Sequence, residues 1–300
     1  MTGILSLKNI SKSYGRIQAL KNVSFDVPAG SVFGILGPNG SGKTTLLGIV
    51  MDVLRASGGH FTWFGNQPSE KQRRKIGTLL ETPNFYHYLS GQRNLEITAA
   101  IKHKPVTDIE RVIKMVRLFE RRDSKFQTYS LGMKQRLAIA SCLLGDPSVL
   151  VFDEPTNGLD PSGIAEIRQL ITDLAKEGKT IIIASHLLME VEKVCTHVGI
   201  LQKGSLIRYG DVQSVLGNEE WVELSAPDME KLRTILNQLA VVKKIIPTEN
   251  KFQVYLNQPE ADPAMLNQYC FEHGVVLNFL QVKKKSLESS FIEITENVSN

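Results

Sequence analysis

Hydrophobic and polar residues alternate along the first two thirds of the chain in two rhythms. Short β-branched or apolar runs (Ser31 to Leu36, Ser148 to Phe152, Thr180 to Ala184) exchange with stretches of helical spacing (Thr45 to Leu54, Ile164 to Lys176). Strands that read as continuous apolar runs are buried on both faces, so the alternation predicts a mainly parallel sheet covered by helices. From about Pro83 to Gln127 only the helical rhythm persists, with Leu95, Ile97, Val112, Ile113, Val116 and Leu118 as its apolar positions. That segment reads as a helical insertion.

The last third has a different pattern. Trp221 to Leu224, Val241 to Ile246, Phe252 to Leu256 and Val275 to Val282 read as strands. One helix carries Met229, Leu232, Ile235, Leu236 and Leu239 on its apolar face, and a second carries Met265, Leu266, Tyr269 and Cys270, with Gly274 at its C-terminus. The order βαββαβ predicts a small α+β module of ferredoxin-like type, closed by a short helix after Ser286. Trp221, Phe252, Tyr255, Tyr269 and Phe271 are expected in its core. Of 23 glycines, only Gly274 follows Gly217. Tight turns are thus a property of the first part, and the boundary is placed to give domains 1–218, with a helical subdomain at about 83–145, and 219–300.

Composition narrows the class. The 300 residues are 42% hydrophobic and carry a formal net charge of +4, enough apolar content for a buried core and too little charge to specify nucleic acid or anionic lipid. No run approaches a membrane span, and Met1 to Lys12 lacks the apolar core of a signal peptide. Three scattered cysteines (Cys142, Cys195, Cys270) form no C-x-x-C pair and no even framework, which fits a reducing compartment.

Gly37-Pro38-Asn39-Gly40-Ser41-Gly42-Lys43-Thr44 satisfies G-x-x-x-x-G-K-[ST] between a predicted strand and the helix opening at Thr45. Glycines let backbone N–H groups converge on phosphate oxygens, and the helix N-terminus adds partial positive charge. Lys43 is expected on the β- and γ-phosphates of a nucleoside triphosphate, and the Thr44 hydroxyl on Mg²⁺. A second apolar strand ends in Asp153-Glu154-Pro155. Asp153 is assigned to Mg²⁺, and Glu154 to the role of general base or water-polarising residue for attack on the γ-phosphate.

Tyr129-Ser130-Leu131-Gly132-Met133-Lys134-Gln135-Arg136 precedes that strand. It resembles the signature motif of ABC (ATP-binding cassette) ATPases, with Ser130 and Gly132 at the serine and second glycine of LSGGQ and departures at Tyr129, Leu131 and Met133. Other positions follow in family order. Tyr14 matches the aromatic that stacks on adenine, Asp160 in Asn157-Gly158-Leu159-Asp160 the D-loop aspartate, and His186 the switch histidine near the γ-phosphate. The resemblance covers residues 4 to about 217 and implies a P-loop ABC ATPase domain of α/β class. Where such families carry a glutamine near Mg²⁺, this chain has Glu81. Thr82-Pro83-Asn84-Phe85-Tyr86 with the Tyr129 to Gly132 segment resembles the bacitracin- and lantibiotic-type exporter branch.

The resemblance further implies a head-to-tail pair of cassettes with two ATP between them, Ser130, Gly132 and Asp160 of one chain acting on the ATP of the other. It implies separate integral membrane permease subunits received near Glu81 to Tyr88, and a place on the inner face of the cell membrane. The rival class is an ABC ATPase acting on ribosomes or DNA, but the chain has neither paired cassettes nor a long coiled coil. A metabolic P-loop kinase is disfavoured by Tyr129 to Arg136 together with His186. The basic runs Lys71 to Lys75 and Lys283 to Lys285 read as solvated faces, not nucleic-acid sites.

Overall fold

The computed structural model describes residues 3–80, 85–216, 220–257 and 263–284. They form two compact units, 1–215 and 216–300. The first contains strands β1 (Leu5–Tyr14), β2 (Ile17–Val27), β3 (Val32–Leu36), β4 (Gly58–Trp63), β5 (Ile76–Leu79), β6 (Val149–Asp153), β7 (Thr180–Ser185), β8 (His197–Gln202) and β9 (Ser205–Asp211). Its helices are α1 (Lys43–Val50), α2 (Glu70–Arg73), α3 (Gly91–Ile101), α4 (Asp108–Met115), α5 (Leu131–Leu143), α6 (Pro161–Lys176) and α7 (Leu188–Val194), and α8 (Val212–Leu216) ends at the boundary.

A six-stranded sheet of order β5-β6-β7-β3-β8-β9 is parallel except for its last strand. The buried strands β3, β6 and β7 lie where the continuous apolar runs placed them. Register brings Asp153 beside Ala184 on β7, and Ala184 beside Ile35 on β3. The next residue of each strand is Glu154, Ser185 and Leu36, so the acids, the switch segment and the phosphate loop leave the sheet at one C-terminal edge, the ligand-binding edge of open α/β sheets.

The sequence pattern did not predict the second sheet, an antiparallel set of order β2-β1-β4. One core joins the two sheets through α1: Leu5, Leu7, Val23 and Phe25 meet Leu46, Leu47 and Ile49, then Ile35, Val151 and Ile182. Phe25 stacks on Phe33 with ring centroids 5.1 Å apart. The indole Nε1 of Trp63 donates to the Val50 carbonyl at 2.7 Å and closes the C-terminus of α1. Gly77 on β5 lets α5 approach closely, since a Cβ there would stand 2.3 Å from the Cys142 carbonyl oxygen. Cys142 is buried, which pushes its thiol pKa up to about 11. Within the basic run Lys71 to Lys75, Arg73 pairs with Asp52 at 2.5 Å and Arg74 with Glu70 at 2.7 Å.

The second unit holds β10 (Glu220–Ser225), α9 (Met229–Gln238), β11 (Val242–Pro247), β12 (Phe252–Leu256), α10 (Pro263–Glu272) and β13 (Phe279–Lys284). The sheet order β11-β12-β10-β13 is antiparallel throughout and gives the ferredoxin-like arrangement. Asp228 caps α9 by accepting from the Lys231 N–H at 2.9 Å. Val222, Leu224, Val254, Leu232, Leu236, Leu266 and Cys270 form its core.

Two expectations are corrected here. The last strand starts at Phe279 and not at Val275, because Val275 closes α10 by donating its N–H to the Cys270 carbonyl at 2.8 Å and buries its side chain in the core. Of the aromatics expected inside, Phe252 is buried, but Phe271 is 69% exposed. Trp221 and Tyr255 stack on each other at 5.8 Å; the alternation of β10 directs Trp221 away from the face that buries Val222 and Leu224. The helix expected after Ser286 lies outside the described residues.

Candidate functional site

The phosphate loop connects β3 to α1 through backbone that glycine makes accessible. Gly40 and Gly42 adopt φ of 78° and 107°. At Gly42 a Cβ would also stand 2.7 Å from the Ala19 carbonyl oxygen, so β2 closes that side of the loop. Gly37 has no room either, with the Leu201 carbonyl oxygen 2.3 Å and Ser41 Oγ 2.5 Å from the place of its Cβ. Pro38, Asn39 and Gly40 are exposed at the rim, and Thr44 is exposed and Thr45 half-buried on the first turn of α1.

Lys43 is only 6% exposed, and its ammonium group folds over the loop. It donates to the Gly37 and Pro38 carbonyls at 2.8 and 3.3 Å and lies 3.4 Å from Glu154 Oε1. Ser41 Oγ is buried and has no hydrogen-bond partner among the described residues. A buried hydroxyl without a partner, a lysine over the bowl and a helix N-terminus beneath it suit an anionic phosphate chain.

Glu154 takes a left-handed backbone conformation at φ 48°, unusual for a residue with a side chain. Its N–H donates to the Ala184 carbonyl at 2.9 Å, and its own carbonyl accepts from Asn157 N–H at 3.1 Å. These bonds hold the turn against local strain. The carboxylate then reaches two partners at once, Lys43 through Oε1 and His186 Nδ1 through Oε2 at 2.8 Å. Asp153, one residue earlier, is 9% exposed at the end of β6. Glu154, His186, Lys43 and the loop are therefore brought together, with Asp153 adjacent.

The structure places Ser130, Gly132 and Asp160 in a second cleft of about 460 Å³, lined also by Leu131, Met133, Arg136, Gly158, Leu159, Ser162, Gly163 and Glu166. No residue from Gly37 to Thr45 is among this lining. Ser130 caps α5 by accepting from Met133 N–H at 3.2 Å, and Asp160 caps α6 by accepting from Gly163 N–H at 3.0 Å. Two helix N-termini thus open into one cleft, a setting that favours negative charge. Leu131 is 50% exposed beside it.

Tyr129, the first departure from the signature pattern, is turned away from this cleft. Its ring is buried, its hydroxyl donates to the Arg121 carbonyl at 2.7 Å, and burial raises its phenol above the ordinary value. Tyr14 is 46% exposed at the end of β1, with the Lys12 ammonium 5.0 Å from the ring centroid. Glu81 lies outside the described residues.

Sequence reading assigned no role to Arg136, Glu166, Arg168 or Glu190. Arg136 Nε lies 3.4 Å from Glu166 Oε2, joining α5 to α6. The Arg168 guanidinium donates to Glu190 at 2.7 Å, joining α6 to α7. Pairs 22 or 30 residues apart leave no local periodic signal.

No group of three or more His, Cys, Asp or Glu able to hold a metal occurs among the described residues. Of the residues expected to hold Mg²⁺, Thr44 and Asp153 lie among the described residues and offer only oxygen, and Glu81 lies outside them. That suits Mg²⁺, which commonly takes one or two protein oxygens and completes its shell with water and substrate phosphates.

Residues 20–157 match the family model described as ABC transporter. The chain is 37% identical over 304 residues to the uncharacterized ABC transporter ATP-binding protein YhcH of Bacillus subtilis, covering 98% of this chain and 97% of that protein. It is 33% identical over 302 residues to the bacitracin transport ATP-binding protein BcrA of Bacillus licheniformis, covering 98% of each. Among solved structures, the dimeric post-hydrolysis state of the ATP-binding cassette MJ0796, bound to ADP and Pi, matches with a TM-score of 0.61 and 28% identity over 69% of this chain and 98% of that one.

Proposed function

This chain belongs to the ATP-binding proteins of ABC transporters, an ATPase family, and from that premise we propose that it pairs with a second cassette around two ATP molecules and drives separate membrane subunits, in the direction of export. The likeness to BcrA, named for bacitracin transport, supports the exporter reading. No helix among the described residues is long and apolar enough to cross a membrane. In this reading the chain passes its motion to separate integral permease subunits and works from the inner face of the membrane.

The observation that carries the pairing is the separation of two half-sites on one chain. The phosphate loop gathers Lys43, Glu154 and His186, whereas Ser130, Gly132 and Asp160 line a cleft with no loop residue in it. Two chains arranged head to tail bring the loop of each to the cleft of the other. The dimeric arrangement of MJ0796 supports the same reading.

In this reading the loop amides and Lys43 bind the β- and γ-phosphates, and Tyr14 offers its exposed ring to adenine. Glu154 accepts the proton of the attacking water, and His186 fixes the carboxylate through its 2.8 Å contact and faces the γ-phosphate. Ser130 and the Gly132 N–H hold the γ-phosphate of the neighbouring site. Thr44 and Asp153 hold Mg²⁺, with Glu81 as its further neighbour. When bound, the ion neutralises charge on the phosphates being separated. ATP then acts as a switchable adhesive that closes the pair, and hydrolysis releases it.

Glu154→Gln tests the pairing. The variant keeps nucleotide binding, loses hydrolysis by about 10²- to 10⁴-fold, and accumulates an ATP-dependent dimer in gel filtration. A variant that binds ATP and elutes as a monomer refutes the shared site.

A further inference from the structure

Helix α6 is tied by one ion pair to α5 and by another to α7. Asp160 at its N-cap lines the Ser130 cleft. Glu166 pairs with Arg136 of the signature helix α5, and Arg136 also donates to the Val116 and Arg117 carbonyls at 3.2 Å, so this guanidinium fastens the helical subdomain to α6. Arg168, two residues on, points to a different side of the helix, because successive positions turn by about 100°. It meets Glu190 of α7 at 2.7 Å. Glu190 stands four positions after His186. On the other side of α7, Val191 packs so close to β3 that a Cβ at Gly34 would stand 2.6 Å from Val191 Cγ1.

Helix α7 therefore has two anchors of different kinds. The Val191 contact seats it on the sheet beneath the phosphate loop, and the Arg168 pair ties it to α6. Arg168 is 32% and Glu190 22% exposed in their side chains. Partly exposed pairs of this kind add little to global stability. Position is what such a pair controls: a guanidinium on a regular helix fixes direction as well as distance.

We propose that Arg168 is a positioning residue that couples the two nucleotide half-sites of the chain. A phosphate engaged at the Ser130 cleft bears on α5 and the N-terminus of α6. Arg136 and Glu166 make those helices move together, and Arg168 passes the displacement through Glu190 to the segment that carries His186. This inference rests on the paired-cassette reading and adds a route by which one site senses the other within a single polypeptide.

The test is steady-state ATP hydrolysis as a function of ATP concentration for the full chain, comparing wild type, Arg168→Ala and Arg168→Lys, each checked by thermal melting. Wild type is expected to give a Hill coefficient above 1. Arg168→Ala is expected to lower it towards 1 and reduce kcat by about 2- to 30-fold, with the half-saturating ATP concentration within about twofold and an unchanged melting profile. Arg168→Lys keeps the charge and restores part of the cooperativity. A folded Arg168→Ala chain with the wild-type Hill coefficient overturns the proposal, as does a wild type without cooperativity or an Arg168→Lys chain indistinguishable from Arg168→Ala. Failure of the pairing itself is seen separately, as a monomeric Glu154→Gln chain in ATP.

Discussion

Gly132→Ala separates what the signature helix does for the fold from what it does for a second chain. Gly132 is the second residue of α5 and is absent from the positive-φ glycines, so alanine fits its backbone. Its Cβ would face the cleft and meet nothing nearer than Gly163 Cα at 4.0 Å. Replacing glycine by alanine in a helix gains about 0.5–1 kcal/mol, which raises the melting temperature of a unit of this size by about 1–4 °C. The effect on turnover has the opposite sign. Ser130 Oγ and Ser130 O take the N–H groups of Met133 and Lys134, leaving the first two amides of α5 without a partner inside the helix. If the Gly132 amide binds a charged phosphate, that bond is worth about 1.5–3 kcal/mol. A methyl group that keeps the phosphate away lowers hydrolysis by about 10- to 150-fold. Calorimetry with steady-state ATPase measurements reads both signs. A chain that melts higher and turns over at the wild-type rate removes Gly132 from the nucleotide. One that melts lower refutes the cleft geometry.

Two further outcomes follow from the packing of the helical subdomain. Gly77→Ala drives a methyl group against the Cys142 carbonyl, which a backbone-to-backbone contact cannot absorb by rotamer change, and costs about 1–3 kcal/mol in chemical unfolding; a neutral result would show that α5 is free to lift from β5. At Asp108, burial pushes the carboxyl pKa up, but the Arg111 bonds and the Gly145 N–H at 2.6 Å outweigh it, and the net shift is downward. A lowered folded value means that the contribution is complete at neutral pH and disappears as acid carries the solution below the ordinary aspartate range. Asp108→Asn therefore lowers stability at pH 7 and shows a shallower loss than wild type between pH 5 and pH 3; parallel melting curves across that range would exclude the ion pair as the cause.

What the sequence makes legible depends on how local the determining physics is. The strands β3, β6 and β7 announce themselves because both faces are buried and the residues between their ends carry no polar side chain. The antiparallel sheet is hidden because its first strand breaks alternation: register shifts between Leu7 and Ile10, and again before Lys12, put Leu5, Leu7 and Ile10 on the core at unequal spacing. The phosphate loop is readable since its glycines and lysine are contiguous. Neither the left-handed backbone of Glu154 nor the joining of α6 to two other helices has such a signal. The first rests in part on Ala184, thirty residues on, and the second on partners comparably distant, and no periodicity records a tertiary neighbour.

The hydrophobic cluster around α1 and the one beneath α9 and α10 have no residue in common. Each has enough interior to lose its order cooperatively, so heat is expected to dismantle this polypeptide in two calorimetric steps and not one. A ligand clasped at the phosphate loop would then move one endotherm and leave the other where it was, giving the carboxyl-terminal third the part of an internal reference inside every nucleotide titration.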